Sequence, residues 1–223
     1  MIFIHVAQVG RWRDVLNEQL ALCNFDEYQL GVLGTEKLDK MCYFSENIKE
    51  WEFPTLNCLW EYCKTHEDPV LYIHGKGSSE FKKCMEDWRH YLQYFLIEKK
   101  EECLEKLKNH DIVGCNWTGS HFFGNFWWAR ADYIRKLKTP YDIASIINTK
   151  NRPWSGKKIA VIYDETKGYH YYEELFYGRH YRLFAEMWIG SFEPVSFYEV
   201  HKSNVMHLCE EYNELNYKSK LFI

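Results

Sequence analysis

The stretch Pro69-Val70-Leu71-Tyr72-Ile73-His74-Gly75-Lys76-Gly77 decides the fold. Four apolar residues introduced by a proline and ended by two glycines read as a buried strand that runs out into a tight turn. Working outward, residues 2–7 form a second such run at the start of the chain, and Tyr28 to Leu33 a third, closed by Gly34-Thr35. Helical spacing separates them: Trp12, Val15, Leu16 and Leu20 share one face, and Trp51 to Lys64 reads as a helix. Beyond Gly77, the spacing of Phe81, Met85, Trp88, Leu92, Phe95, Leu104 and Leu107 predicts one long amphipathic helix over 79–108. Strands follow at Asp111 to Trp117 and Phe122 to Trp128, then a short helix from Ala129 to Leu137 closed by Pro140. A loop is expected over 138–160, a helix over 172–189, and a helical tail from Val200. Strands alternating with helices give an α/β fold with a mostly parallel sheet, organised as a single domain over 1–223.

The composition excludes several classes. Apolar residues make up 46% of the 223 residues, charged residues 27%, and there are only 5 prolines, so the chain folds around a core. A formal net charge of −4 gives no electrostatic reason to favour nucleic acid. Eight cysteines form no C-x-x-C pair and fall on apolar positions, which fits a reduced, cytoplasmic setting. No stretch has the length and apolarity of a transmembrane segment, and residues 1–7 lack the pattern of a signal peptide. The surplus is aromatic: 9 Trp, 17 Tyr and 14 Phe, more than a core of this size needs, so part of the set is expected to face a ligand.

Three stretches can carry chemistry. His74-Gly75-Lys76-Gly77 lies where a strand ends, and in open α/β sheets ligands sit beyond the carboxyl ends of the strands. Glycines there admit backbone amides close to an anion, and Lys76 adds a point charge suited to a diphosphate. The spacing is not that of a P-loop. The bland alternative is a turn with a solvated lysine. The second stretch, His121-Phe122-Phe123-Gly124-Asn125-Phe126-Trp127-Trp128-Ala129, carries more aromatics than one strand face can bury, so some of them are candidates for stacking on a sugar. The third, Glu186-Met187-Trp188-Ile189-Gly190, places a carboxylate among apolar neighbours, where desolvation raises its pKa toward that of a general base. An ordinary helix ion pair between Glu186 and Arg182 competes with that reading. Metal-ligand spacing is poor: Glu67-Asp68 sits at the wrong end of its strand, and nothing fixes the place of Asp164-Glu165.

Taken in order, these stretches resemble the Y-x-H-x-K-G, H-F-x-G-N-F-W-W-A and E-x-W-I-G boxes of a glycosyltransferase-like family. That family is found in bacterial surface-glycan loci and large algal viruses, and includes the N-terminal domain of a multidomain chlorovirus glycosyltransferase. The resemblance spans most of residues 1–190, and Gly75 stands where threonine is more usual. It implies a GT-A-like Rossmann-type α/β/α sandwich, with a donor half over 1–117 and an acceptor half over 118–223. It also implies transfer of a hexosyl or deoxyhexosyl group from a nucleoside-diphosphate sugar, UDP- or GDP-linked, to a glycan or glycoconjugate acceptor hydroxyl. On that resemblance His74, Gly75, Lys76 and Gly77 bind the donor, Glu186 is the base of an inverting reaction, and Asn125, Trp127 and Trp128 line the sugar or acceptor site. His74-Gly75-Lys76 stands where many such enzymes carry an Asp-x-Asp motif, so no cofactor is assigned and dependence on Mn2+ or Mg2+ is left open. The runner-up is a noncatalytic glycan- or protein-binding module on the same fold. A weaker third reading is a nucleotidyltransferase.

Overall fold

The computed structural model describes residues 1–23, 27–142, 181–192 and 194–218. Asp164-Glu165 and most of the 138–160 loop, together with the first half of the 172–189 helix, lie outside them. A seven-stranded sheet forms from β1 (Ile2–Ala7), β2 (Tyr28–Leu33), β3 (Met41–Ser45), β4 (Val70–His74), β5 (Ile112–Cys115), β6 (Trp127–Ala129) and β7 (Phe197–His201). Its order is β3-β2-β1-β4-β6-β5-β7. Only β6 runs against its neighbours, pairing antiparallel with both β4 and β5. The fold is therefore the mixed, mostly parallel α/β sheet expected.

Alternation of side chains divides the interior into two cores. Phe3, Val70, Tyr72, Ile112, Trp127 and Ala129 point to one face, where α2 (Phe53–Cys63), α5 (Ala131–Ile134) and α6 (Tyr181–Met187) cover them. Ile2, Ile4, Leu71, Ile73, Val113 and Trp128 point to the other, under α1 (Trp12–Cys23), α3 (Lys83–Gln93) and α4 (Lys100–Leu107). A sheet covered on both faces needs near-continuous apolar strands, which is why β1 and β4 were legible as unbroken runs.

Four expectations are corrected. The long helix is two helices, α3 and α4, joined by a π turn at Tyr94–Glu98 and a break at Lys99 (φ −99°, ψ 28°). A π turn inserts an extra residue, which re-phases the buried face from Trp88, Tyr91 and Leu92 onto Leu96, Ile97 and Cys103. The helix also starts later, leaving Phe81 outside it and 77% exposed. The strand expected over 122–128 shrinks to Trp127–Ala129, because Gly124 (φ +103°) and Asn125 (φ +55°) turn the chain just before it. The described tail from Val200 holds no α-helix: β7 ends at His201, and irregular chain follows up to a single 3-10 turn at Glu214–Asn216. An edge strand, β3, was not foreseen; all five of its residues are half-buried and give no clear period. No helix of the described residues is long and apolar enough to cross a membrane.

The late start of α3 has a measurable consequence. Phe81→Ser should change unfolding free energy by no more than about 0.5 kcal/mol, whereas Trp88→Ala, deep in the second core, should cost about 3–5 kcal/mol. Urea denaturation of the two variants checks both values.

Candidate functional site

Beyond the carboxyl ends of β1, β4 and β5 the chain brings the three sequence boxes together. His74, the last residue of β4, reaches the second box: its Nε2 lies 3.0 Å from the carbonyl oxygen of Gly124. A carbonyl only accepts, so Nε2 carries the proton. Phe126 packs edge-on against the same ring at 5.1 Å. The third box meets the second through His121, whose Nε2 lies 3.9 Å from Glu186 Oε2. His121 is oriented from its far side, with Nδ1 3.0 Å from Thr118 Oγ1 and 2.9 Å from Ser120 Oγ. Gly190 makes that approach possible, since a Cβ there would stand 2.0 Å from the Ser120 carbonyl oxygen. The Arg182 side chain lies outside the described residues.

The asparagine and both tryptophans of the aromatic box are buried. Trp127 is fully buried, stacked on Tyr72 at 5.2 Å, and its indole N–H donates to Asn125 Oδ1 at 2.9 Å. Trp128 is buried in the opposite core, with its N–H donating to the Leu96 carbonyl at 2.7 Å. Trp127 thus packs behind the site, and Trp128 fills the core on the other face of the sheet. Asn125 is 1% exposed, and its amide is bonded at both ends: Oδ1 accepts from Trp127, and Nδ2 donates to Glu52 Oε2 at 2.5 Å. The half-exposed aromatics here are Phe123, against Trp88 at 4.5 Å, and Trp117, stacked on Phe197 at 4.6 Å.

Glu52, at the N-terminus of α2, is the residue that sequence reasoning missed. Its Oε2 accepts from both Asn125 and the Tyr72 hydroxyl, the latter at 2.7 Å. Among the described residues no hydrogen bond engages Oε1. Burial, followed by the charge and hydrogen bond of Glu52 and then the charge of Glu186, pushes the Tyr72 phenol well above its usual range. Tyr72 is therefore a permanent donor, and both carboxylates act on it. Next to them, buried His5 pairs in register with His74, and its Nδ1 lies 2.9 Å from Thr55 Oγ1. Burial holds His5 down at about 4, so the imidazole is neutral at physiological pH.

The His74 to Gly77 loop occupies the other half of this edge. Two of its amides and the one after it are engaged: Gly75 N donates to the His5 carbonyl, Lys76 N to the His74 carbonyl and Ser78 N to the Gly75 carbonyl, while no hydrogen bond among the described residues engages Gly77 N. The Lys76 ammonium lies 3.6 Å from the centroid of the Trp88 ring, and the Lys76 carbonyl accepts from Arg89 at 3.1 Å. Beneath Trp88, His207 is fully buried and stacked on that ring. Burial first, and the Lys76 charge second, hold its pKa at about 4. At Gly75 an added Cβ would meet only Ser78, at 3.6 Å, so the threonine usual in the resembling family has room. Among the described residues no group of three or more His, Cys, Asp or Glu gathers to hold a metal ion.

The model of a domain of unknown function, DUF8361, matches residues 5–219, and the chain belongs to that family. No curated protein matches the chain. Among solved structures it is similar to the crystal structure of Rv0371c from Mycobacterium tuberculosis H37Rv. That similarity is 14% identity over 68% of this chain and 84% of that one, with a TM-score of 0.32. The likeness is too distant to define a shared fold.

The two histidines held low make stability depend on pH. As pH falls, the unfolded chain takes up a proton on each near 6.5 while the folded chain resists until about 4. Their contribution is therefore complete above about pH 6.5 and lost as pH falls toward 4, with a slope approaching about 2.7 kcal/mol per pH unit for two protons. Urea titrations between pH 7 and 4.5 read this slope, and His207→Gln should remove about half of it. Gly190→Ala should destabilise by about 1–3 kcal/mol through its contact with backbone, while Gly75→Ala stays within about 0.5 kcal/mol.

Proposed function

We propose that the protein is a glycosyltransferase that moves a sugar from a nucleoside-diphosphate sugar to an acceptor hydroxyl. The observation that carries this reading is the convergence of three boxes, far apart in sequence, at the carboxyl edge of one sheet. There Glu186 and His121 stand 3.9 Å apart, and His74 spans to Gly124. In this reading Glu186 takes the proton of the acceptor hydroxyl as its oxygen attacks the anomeric carbon, giving inversion. His121 orients the carboxylate and shares its charge. Glu52, fixed by Tyr72 and Asn125 through one oxygen, accepts a sugar hydroxyl through the other. Lys76 swings from the face of Trp88 to meet the departing diphosphate. No step is routed through a metal.

One observation favours the second reading, a noncatalytic glycan-binding module. The amides of Gly75, Lys76 and Ser78 are already bonded to the His5, His74 and Gly75 carbonyls, so a phosphate that leaves them in place meets the Gly77 amide and the Lys76 ammonium. The two readings part on nucleotide dependence. Calorimetry with UDP- and GDP-sugars, together with nucleotide release in the presence of an oligosaccharide acceptor panel, separates them. The transferase reading expects nucleotide binding that Lys76→Ala weakens. It also expects Glu186→Gln to keep donor binding while turnover falls roughly 10²–10⁴-fold. Glycan binding that ignores nucleotide supports the module, and absence of both kinds of binding removes the two readings together.

A further inference from the structure

Two half-buried thiols, Cys42 and Cys58, face each other between the edge strand β3 and helix α2. An irregularity in the strand brings them together. Leu30 stands opposite Met41 and Gly31 opposite Tyr43, so β3 carries one extra residue, Cys42, between the two pairs. An extra residue of this kind disrupts the ladder and re-aims a side chain. Met41 and Phe44 accordingly pack into the core under α1, while Cys42 packs into the core under α2, to which Cys58 also belongs. The Cys58 thiol donates to the Cys42 carbonyl at 3.5 Å, and the Cys42 thiol to the Leu30 carbonyl at 3.4 Å. The two sulfurs also lie within hydrogen-bonding reach of each other.

The remaining cysteines are in different surroundings. Cys23, Cys63, Cys84, Cys103 and Cys115 are buried, and Cys209 is exposed. Burial pushes the Cys23, Cys63 and Cys103 thiols up to about 12, so they form almost no thiolate near neutral pH. A hydrogen bond from Cys42 instead holds the Cys58 thiol below its usual value, against burial and the Glu61 charge. The same bond, followed by burial, raises Cys42. Cys58 is thus the attacking thiol of the pair and Cys42 the resolving one.

We propose that Cys42 and Cys58 are a thiol-disulfide modification site, oxidised by exchange with a small-molecule disulfide of the glutathione class. The Cys58 thiolate attacks one sulfur of glutathione disulfide, breaks its S–S bond and releases a glutathione thiolate, which takes up the proton that Cys58 lost. Cys42 then gives up its proton and attacks the Cys58 sulfur of the mixed disulfide, and the second glutathione leaves with that proton. Two protein thiols are oxidised and one glutathione disulfide is reduced to two thiols. The new bond closes the 42–58 segment, which holds Glu50, bonded to Tyr43 and Ser45 at 2.7 and 2.8 Å, and Glu52 at the start of α2. The proposal does not rest on the transferase reading, because a linked peptide reports it whether or not sugar is transferred.

The test incubates the intact protein at neutral pH with graded ratios of oxidised to reduced glutathione, blocks free thiols with N-ethylmaleimide and maps tryptic peptides by mass spectrometry. Linkage of peptide 41–49 to peptide 50–64 is expected, with fragment ions placing the bond on Cys58 and not on Cys63 of the same peptide. Cys42→Ser should halt the reaction at a mixed disulfide between Cys58 and glutathione. Cys58→Ser should slow modification of Cys42 by roughly ten-fold or more, since the attacking thiol is then absent. Oxidation of the unsubstituted protein should raise Tm by roughly 5–10 °C, reversed by dithiothreitol, because closing a loop of this length constrains the unfolded chain. Absence of the linked peptide, glutathione on Cys209 alone, or linkage through Cys63 overturns the proposal. An unchanged or lower Tm on oxidation does so as well, because the bond then pulls strand and helix out of their native places.

Discussion

The antiparallel course of β6 is the constraint on which the rest of the site depends. In an all-parallel sheet each strand delivers only its carboxyl end to the ligand-binding edge, and what precedes a strand lies at the far side. Because β6 is reversed between β4 and β5, with Tyr72 opposite Trp127 and Leu71 opposite Trp128, the turn before it emerges at the same edge as His74. One sheet edge thereby receives both the end of β4 and the 121–126 turn. Three residues of strand provide few ladder bonds, so the reversal is secured by side chains. Trp127 and Trp128 fill the two cores, and each indole N–H is bonded.

The hydrogen-bonded, half-buried carboxylate of Glu52 follows from that geometry. A charge removed from water is retained only when it is paired or well hydrogen-bonded. Tyr72 from β4 and Asn125 from the turn supply two donors to one oxygen. The Asn125 backbone, at φ +55°, is what aims the amide, a conformation more accessible to asparagine than to bulkier residues. His5 stays neutral beside this cluster because burial opposes its charge. The edge is thus divided. Carboxylates Glu52 and Glu186 belong to the face covered by α2 and α6, and Lys76 belongs to the face covered by α3.

Much of this fold was legible because its strands are buried on both faces and read as unbroken apolar runs. What failed to show has physical reasons. A 3.6-residue period cannot reveal a π turn, since apolar residues continue on both sides of it and only their phase changes. Strand β3 sits at the sheet edge with every residue half-buried, and β7, also at an edge, carries the polar residues that made the tail look helical. At the candidate site, the fold brings the three boxes to one edge and buries Asn125, Trp127 and Trp128. Glu52 could not be found from its neighbours, because the groups that hold it lie 20 and 73 positions away. Asn125 and the two tryptophans stood out by composition, and composition does not tell a buried side chain from an exposed one.

The aromatic surplus gains a physical explanation from this arrangement. A short reversed strand must hold its place against neighbours that pair more extensively, and large side chains bury the most area per residue. Tyr72, Trp127 and Trp188 pack in succession behind Glu52, with ring centroids 5.2 and 6.2 Å apart. On the opposite face Trp88 is shared by Phe123, His207 and the Lys76 ammonium. These rings exclude water from behind the polar groups and so lower the dielectric around them, which strengthens each hydrogen bond to Glu52 and makes any displacement of Lys76 more costly. Rigidity on the carboxylate side and a lysine parked on an aromatic face are therefore two results of the same packing. Any ligand that draws Lys76 away must offer it a charge stronger than the face of Trp88.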